Sequence, residues 1–277
     1  MSNVTELLRA SSPQGDIEAR HEAEILLGHA LGRPRAWLYA NADFAPDADE
    51  RNRFDALLRA RRAGTPIAYL VGRRGFWTFE LDVSPDVLIP RPETELLVEI
   101  ALKHIAPDTE CNVADLGTGS GAVALAIASE RPRARVLATD ASAPALAVAR
   151  HNAERLGLGN VEFVHGNWCA ALADRRFDVI VSNPPYIAAE DSHLDHGDLR
   201  FEPAAALASG ADGLDAIREI CAGAFAQLRP SGWLLLEHGF DQAARVRALF
   251  AIEGAGEIAT DRDLEDRDRV TSGRRLL

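Results

Sequence analysis

From Asn112 onward, short apolar runs alternate with segments of helical periodicity, and nothing else in the chain narrows its fold as much. The runs occupy residues 113–116, 135–139, 161–165, 177–182 and 233–237. Helical spacing fills much of the space between them, for example over 122–129, 145–156, 214–228 and 242–250. Ser142-Ala143-Pro144 is a helix start and Gly157 a stop. Strand–helix alternation of this kind predicts an α/β, mostly parallel, doubly wound sheet. Residues 257–262 and 269–276 read as two further strands joined by an acidic turn.

Upstream the periodicity is purely helical. Asp16 precedes Ala23, Leu26, Leu27, Ala30 and Leu31 at helical spacing, and Gly32 with Pro34 ends the run. A second helix is predicted over 47–62. Arg51, Arg53, Arg59, Arg61 and Arg62 crowd it, but Asp47, Asp49, Glu50 and Asp55 dilute the charge, so a solvated face explains it better than a nucleic-acid site. Gly64-Thr65-Pro66 ends this region. Residues 76–83 then read as a strand, Ser84-Pro85-Asp86 as a turn and 87–89 as the returning strand. A helix opens near Pro92 and runs to about His104. The expected division is a helical domain at 1–75, a β-hairpin linker at 76–92 and a strand–helix domain at 93–277.

Composition removes several classes of protein. No apolar run in the 277 residues approaches the ~20 needed to span a bilayer, and the first residues lack a basic start followed by an apolar core. Cys111, Cys169 and Cys221 are far apart and form no paired motif, so neither disulfides nor a cysteine metal site is expected. These features together predict a cytoplasmic chain. The net charge is −12, and the first 75 residues are near neutral, with 11 arginines against 10 acidic residues. The remainder is therefore strongly acidic, which disfavours a grip on long duplex DNA.

Two motifs carry chemistry. Asp115-Leu116-Gly117-Thr118-Gly119-Ser120-Gly121 sits where a first strand meets a first helix. Its glycines let backbone approach a ligand, and the helix N-terminus offers free N–H groups. With Ala122 it also satisfies the looser dinucleotide fingerprint, so the loop alone leaves both ligands open. Asp115 favours a cationic ligand end, as in S-adenosylmethionine, over a pyrophosphate. Asp140, at the end of the second strand, is placed to accept from ribose hydroxyls, and Trp168 to lie against an adenine.

The second motif, Asn183-Pro184-Pro185-Tyr186, follows the strand 177–182. A strand-ending turn would have a similar composition, but the sequence also suits methylation of a planar nitrogen. The lone pair of an amide or exocyclic amine is delocalised. The Asn183 side-chain oxygen and the Pro184 carbonyl would accept its two N–H groups while the Tyr186 ring stacks on it. Each proline fixes φ and removes a competing N–H. All these residues fall at strand carboxyl ends, where open α/β sheets bind ligands.

With these residues assembled, the chain resembles the bacterial release-factor glutamine methyltransferases. The likeness extends through Pro66-Ile67-Ala68-Tyr69-Leu70, Phe76-Trp77, Leu88-Ile89-Pro90-Arg91-Pro92-Glu93-Thr94-Glu95, Phe201-Glu202-Pro203 and Leu235-Leu236-Glu237-His238-Gly239. It implies a class I (Rossmann-like) S-adenosylmethionine methyltransferase domain behind a small helical, substrate-docking domain and a hairpin linker. The implied substrate is the Gly-Gly-Gln glutamine of class 1 peptide-chain release factors, methylated on its N5 amide nitrogen. Gly117, Thr118, Gly119, Ser120, Gly121, Asp140, Trp168 and Asn183 would contact the cofactor, and Asn183, Pro184, Pro185 and Tyr186 the glutamine. Asn167 departs from the Asp expected before the Trp.

The expected reaction is direct displacement, with Asn183, Pro184 and Tyr186 positioning the nitrogen and no catalytic histidine. Neither a membrane nor DNA is expected as partner, and a monomer is expected. No metal is expected either: the His193 and His196 stretch reads as a loop covering the substrate. The alternatives are methylation of a ribosomal-protein glutamine, of DNA adenine N6, a nicotinamide dehydrogenase, or a non-enzymatic binding module on the same fold.

Overall fold

Side-chain caps start the N-terminal helices where the sequence supplies them. In the computed structural model, which describes residues 2–12 and 15–276, Asn3 and Glu6 form a capping box for α1 (Val4–Ser11). Asp16 caps α2 (Ile17–Leu31), and Gly32 at φ 63° closes it. After α3 (Arg35–Ala40), a second capping box, Asp47 with Glu50, opens α4 (Ala48–Arg62), and α5 (Ile67–Val71) follows. The predicted helices are α2 and α4. Helices α1, α3 and α5 are too short for periodicity to reveal.

Leu8, Leu26, Leu27, Leu38 and Phe54 form the core of this unit, Met1–Arg73. Two of the crowded arginines are committed inside it. Arg61 makes a two-pronged pair with Glu22 at 2.9 and 2.6 Å, and Arg53 donates to the Ala30 carbonyl at 3.1 Å.

The second unit is Arg74–Leu277. Its hairpin differs from the expected one: β1 (Arg73–Phe76) pairs with β2 (Phe79–Asp82) across Trp77-Thr78. Ser84-Pro85-Asp86 does turn, with the Val87 N–H on the Ser84 carbonyl at 3.1 Å, but residues 87–89 pair with no strand. A 3-10 turn over Pro92–Thr94 leads into α6 (Glu95–Lys103).

The alternating region gives β3 (Asn112–Leu116), α7 (Ala122–Glu130), β4 (Arg135–Asp140), α8 (Ala143–Leu156), β5 (Val161–His165) and β6 (Phe177–Ser182). It continues through α9 (Asp215–Gln227), β7 (Leu228–Glu237), α10 (Ala243–Ile252), β8 (Ala255–Arg262) and β9 (Asp268–Arg275). The seven strands lie in the order β5-β4-β3-β6-β7-β9-β8. Strands β3 to β7 run parallel, and β9 is antiparallel to both β7 and β8.

Apolar layers cover both faces. Leu97, Val98, Leu125 and Ile127 lie on one, and Ile217, Ile220, Val246 and Phe250 on the other. The order reverses between β3 and β6, where Leu116 is level with both Thr139 and Ser182, and Ser182 with Leu236. Gly117, Asp140, Asn183 and Glu237 therefore leave the sheet side by side, at the switch point where ligands bind in such folds. No helix among the described residues is long and apolar enough to cross a membrane.

Candidate active site

The glycine loop is shaped by its own hydrogen bonds before any ligand is considered. The Gly117 and Thr118 N–H groups donate to the Thr139 carbonyl at 2.9 and 2.8 Å, tying the loop to β4. Gly117 has φ 75°, and a Cβ there would sit 3.0 Å from the Trp168 indole. Only glycine meets both conditions. The Asp140 carboxylate accepts from the Gly119 N–H at 2.9 Å and the Ser142 N–H at 2.8 Å, one bond on each oxygen. Each oxygen keeps capacity for another donor.

Asp115 is held within the protein. Its side chain is 1% exposed and accepts from the Thr118 hydroxyl at 2.7 Å. Burial pushes its pKa up to about 7, against the pull of that bond. Asp115 and Thr118 are thus loop anchors. Gly121, at φ 89°, starts α7, and a Cβ there would strike Leu125 at 2.9 Å. It lines none of the three cavities around the loop, so close packing accounts for it.

Three cavities meet at Leu88 and Asn183. The largest, about 410 Å³, is lined by Gly117, Gly119, Asp140, Trp168, Asn183 and Pro185. A second, about 50 Å³, lies among Thr94, Asp115, Thr118, Ser120 and Asn183. The third, about 70 Å³, is lined by Leu88, Asn183, Pro184, Pro185 and Tyr186. Asn183 borders all three. Its Nδ2 donates to the Thr94 hydroxyl at 3.0 Å, which leaves Oδ1 as its acceptor. The Tyr186 hydroxyl donates to Glu237 Oε1 at 3.2 Å, and burial together with that carboxyl raises the phenol's pKa. The Tyr186 carbonyl accepts from Gln242 Nε2 at 2.9 Å.

Sequence reasoning assigned no task to several residues that build this site. Glu202 accepts from the Ile89 N–H at 3.0 Å and pairs with Arg91, so the segment before α6 is clamped to the loop at 203–206. Both segments line the large cavity. Thr94, Glu202 and Glu237 all lie within the stretches that carry the resemblance, the one available signal, but their partners are distant in sequence. Asn167 also lines the cavity and donates from Nδ2 to Glu219 at 3.0 Å. An Asp there would face Glu219 with like charge. His238 is fully enclosed: Nδ1 donates to the Gly239 carbonyl at 2.9 Å, and Nε2 bonds the Thr271 hydroxyl at 2.8 Å. Burial lowers its pKa, and both nitrogens are occupied.

A large cavity meeting a small well at Asn183 suits group transfer, and with the family match to a methyltransferase domain it makes the chain an S-adenosylmethionine-dependent methyltransferase. The methyltransferase small domain profile matches residues 93–212, and that of the PrmC N-terminal domain residues 4–72. A release factor glutamine methyltransferase of Xylella fastidiosa strain Temecula1 is 59% identical over 92% of this chain and 93% of its own length. One from Pseudomonas aeruginosa is 48% identical over 99% of both chains. A solved methyltransferase from Pyrococcus furiosus shares the fold, at 18% identity and a TM-score of 0.56, over 82% of this chain and 99% of that one. With such identity along nearly its whole length, the chain belongs to the release factor glutamine methyltransferase family.

Proposed function

We infer that this enzyme transfers a methyl group from S-adenosyl-L-methionine to the N5 amide nitrogen of the Gly-Gly-Gln glutamine in class 1 peptide-chain release factors. The observation that carries this reading is Asn183 on the wall common to the large cavity and the Tyr186 well, with Nδ2 engaged and Oδ1 left to accept. The large cavity fits the cofactor: Asp140 retains acceptor capacity for hydroxyls, and the missing Cβ of Gly117 leaves the Trp168 indole as a flat wall. Bound there, S-adenosyl-L-methionine supplies an electrophilic methyl group.

Asn183 Oδ1 and the Pro184 carbonyl accept the two amide N–H groups of the glutamine, which draws electron density onto nitrogen and aims its lone pair at the larger cavity. Tyr186, pinned at its hydroxyl, forms the wall of the well. The helical unit docks the protein substrate, and the enzyme works as a monomer in the cytoplasm. The acidity of the second unit supports a protein substrate over DNA.

Labelled methyl transfer tests this directly, with a release factor, its Gly-Gly-Glu variant, duplex DNA and a short Gly-Gly-Gln peptide as acceptors. Label on the intact factor but on neither the variant nor DNA is expected, with the peptide needing at least about tenfold higher concentration for lack of docking contacts. Label on DNA, or equal labelling of the variant, refutes the substrate. An equal KM for peptide and factor refutes docking.

A further inference from the structure

Pro184 and Pro185 stiffen the middle of the Asn-Pro-Pro-Tyr segment and leave it without backbone donors. Each ring fixes φ, and a residue followed by proline is steered to extended backbone, which covers Asn183 and Pro184. With no N–H between Asn183 and Tyr186, the middle cannot be tied down by backbone donation. The tilt of the segment is therefore set at its two ends. At the first, the Ser182 hydroxyl donates to the Leu116 carbonyl at 2.6 Å and Asn183 Nδ2 to Thr94 at 3.0 Å. At the second, the Tyr186 carbonyl accepts from Gln242 Nε2 at 2.9 Å.

Gln242 immediately precedes α10 and is 5% exposed. Its Oε1 accepts from the Gly239 N–H at 2.9 Å, and Nε2 also faces the Asp212 carbonyl, 3.5 Å away. Every one of these partners is a backbone group, and backbone polarity is fixed: an N–H only donates and a carbonyl only accepts. The Gln242 amide therefore has one orientation, with its N–H edge on Tyr186. Gly213, at φ 76°, packs so tightly against the same carbonyl that a Cβ would lie 2.3 Å from its oxygen. The next backbone bond, from the Ile187 N–H to the Leu207 carbonyl at 2.9 Å, joins only the two ends of the loop that follows the segment. The Tyr186 hydroxyl bond to Glu237 holds the ring and not the backbone. Gln242 is thus the tie between the Tyr186 backbone and the turn after β7, the strand beside β6.

We propose that Gln242 is a positioning residue for methyl transfer: through the Tyr186 carbonyl it sets the tilt of the 183–186 segment, and with it the place of the Pro184 carbonyl against the acceptor amide. This rests on the reading of Asn183 Oδ1 and the Pro184 carbonyl as acceptors for the glutamine amide. Gln242 itself lines none of the three cavities, so it acts only through Tyr186.

Gln242→Met removes both polar ends at similar length. Gln242→Glu keeps an oxygen for the Gly239 N–H, and its second oxygen can donate to Tyr186 only while protonated. The readouts are kcat and KM for methylation of release factor, and the Kd of S-adenosylmethionine. Gln242→Met is expected to lower kcat about tenfold or more, equally at each pH, while KM and the cofactor Kd each move less than about threefold. Burial raises the introduced carboxyl toward neutrality, so the kcat of Gln242→Glu relative to the parent should fall about threefold or more from about pH 6 to about pH 9. A role confined to stability would lower the melting temperature of both variants without this split or this profile.

If Gln242→Met fails to fold, the pH profile of Gln242→Glu decides the matter, and a flat relative kcat overturns the proposal. A folded Gln242→Met variant with kcat within about twofold of the parent overturns it as well, as does a loss carried by KM or the cofactor Kd alone. Asn183→Ala separates the two levels. If it is inactive while the Gln242 variants are unimpaired, only the role of Gln242 is refuted. If it retains full turnover, the reading of the acceptor groups falls, and the proposal falls with it.

Discussion

Gly117 shows how much one residue can decide. Its φ of 75° is open to glycine and costly for an alanine, and a Cβ would meet the Trp168 ring at 3.0 Å. Gly117→Ala should cost about 1–2 kcal/mol from the backbone alone and displace the indole, raising the cofactor Kd about tenfold or more. Titration of S-adenosylmethionine into the variant checks this, and an unchanged Kd would mean that Trp168 has no part in the cofactor site. Gly117, Gly119, Asp140, Trp168 and Asn183, expected at strand ends from sequence, are brought around one cavity. The burial of Asp115 and its bond from Thr118 were not legible, because they depend on how the loop folds back over it. Thr118 and Ser120 belonged to the loop by position, but their hydrogen bonds face the protein: Thr118 on Asp115 and the Ser120 carbonyl on Asn152.

Asn152 acts at the scale of elements. From α8 its side chain accepts from the Asp82 N–H at 2.8 Å and donates at 3.0 Å to the carbonyls of both Asp82 and Ser120. One buried amide thus ties the hairpin to the helix and the cofactor loop. Asn152→Ala strands backbone groups of Asp82 and Ser120 and is expected to cost about 2–4 kcal/mol, read as a lower denaturation midpoint at unchanged slope. A change within about 0.5 kcal/mol would show that water replaces the amide without loss. The hairpin was placed wrongly from sequence because Ser84-Pro85-Asp86 carries the turn residues, whereas the chain actually reverses at Trp77-Thr78. Trp77 adopts φ 55° there, with its N–H on Glu95 at 2.8 Å and its indole N–H on Glu130 at 2.8 Å. Those tertiary bonds outweigh turn propensity. Helices α2 and α4 were legible because caps and periodicity agree, and α1, α3 and α5 escaped because five to eight residues hold too few turns.

For the whole molecule, the two buried acids at the switch point make stability depend on pH. Burial raises the Asp115 and Glu237 pKa values to about 7 in the folded state, well above those of carboxyls in the unfolded chain. Folded protein then holds protons that unfolded protein has already released. The stability these groups contribute is complete below about pH 4 and is lost as pH rises through about 7. Asp115→Asn removes one such group, so the melting temperature of the variant minus that of the parent should grow by roughly 3–8 °C between about pH 5 and pH 8. A constant difference would mean that Asp115 stays ionised throughout. The amino-acid sequence by itself determined the α/β alternation, the family and the residues at the strand ends, because periodicity and short motifs are local. Only the tertiary structure decided which side of each polar group remains free. That depends on partners such as Thr94 for Asn183 and Ile89 for Glu202, separated by 89 and 113 residues, and a hydrogen-bonding group has no orientation until its partner is in place.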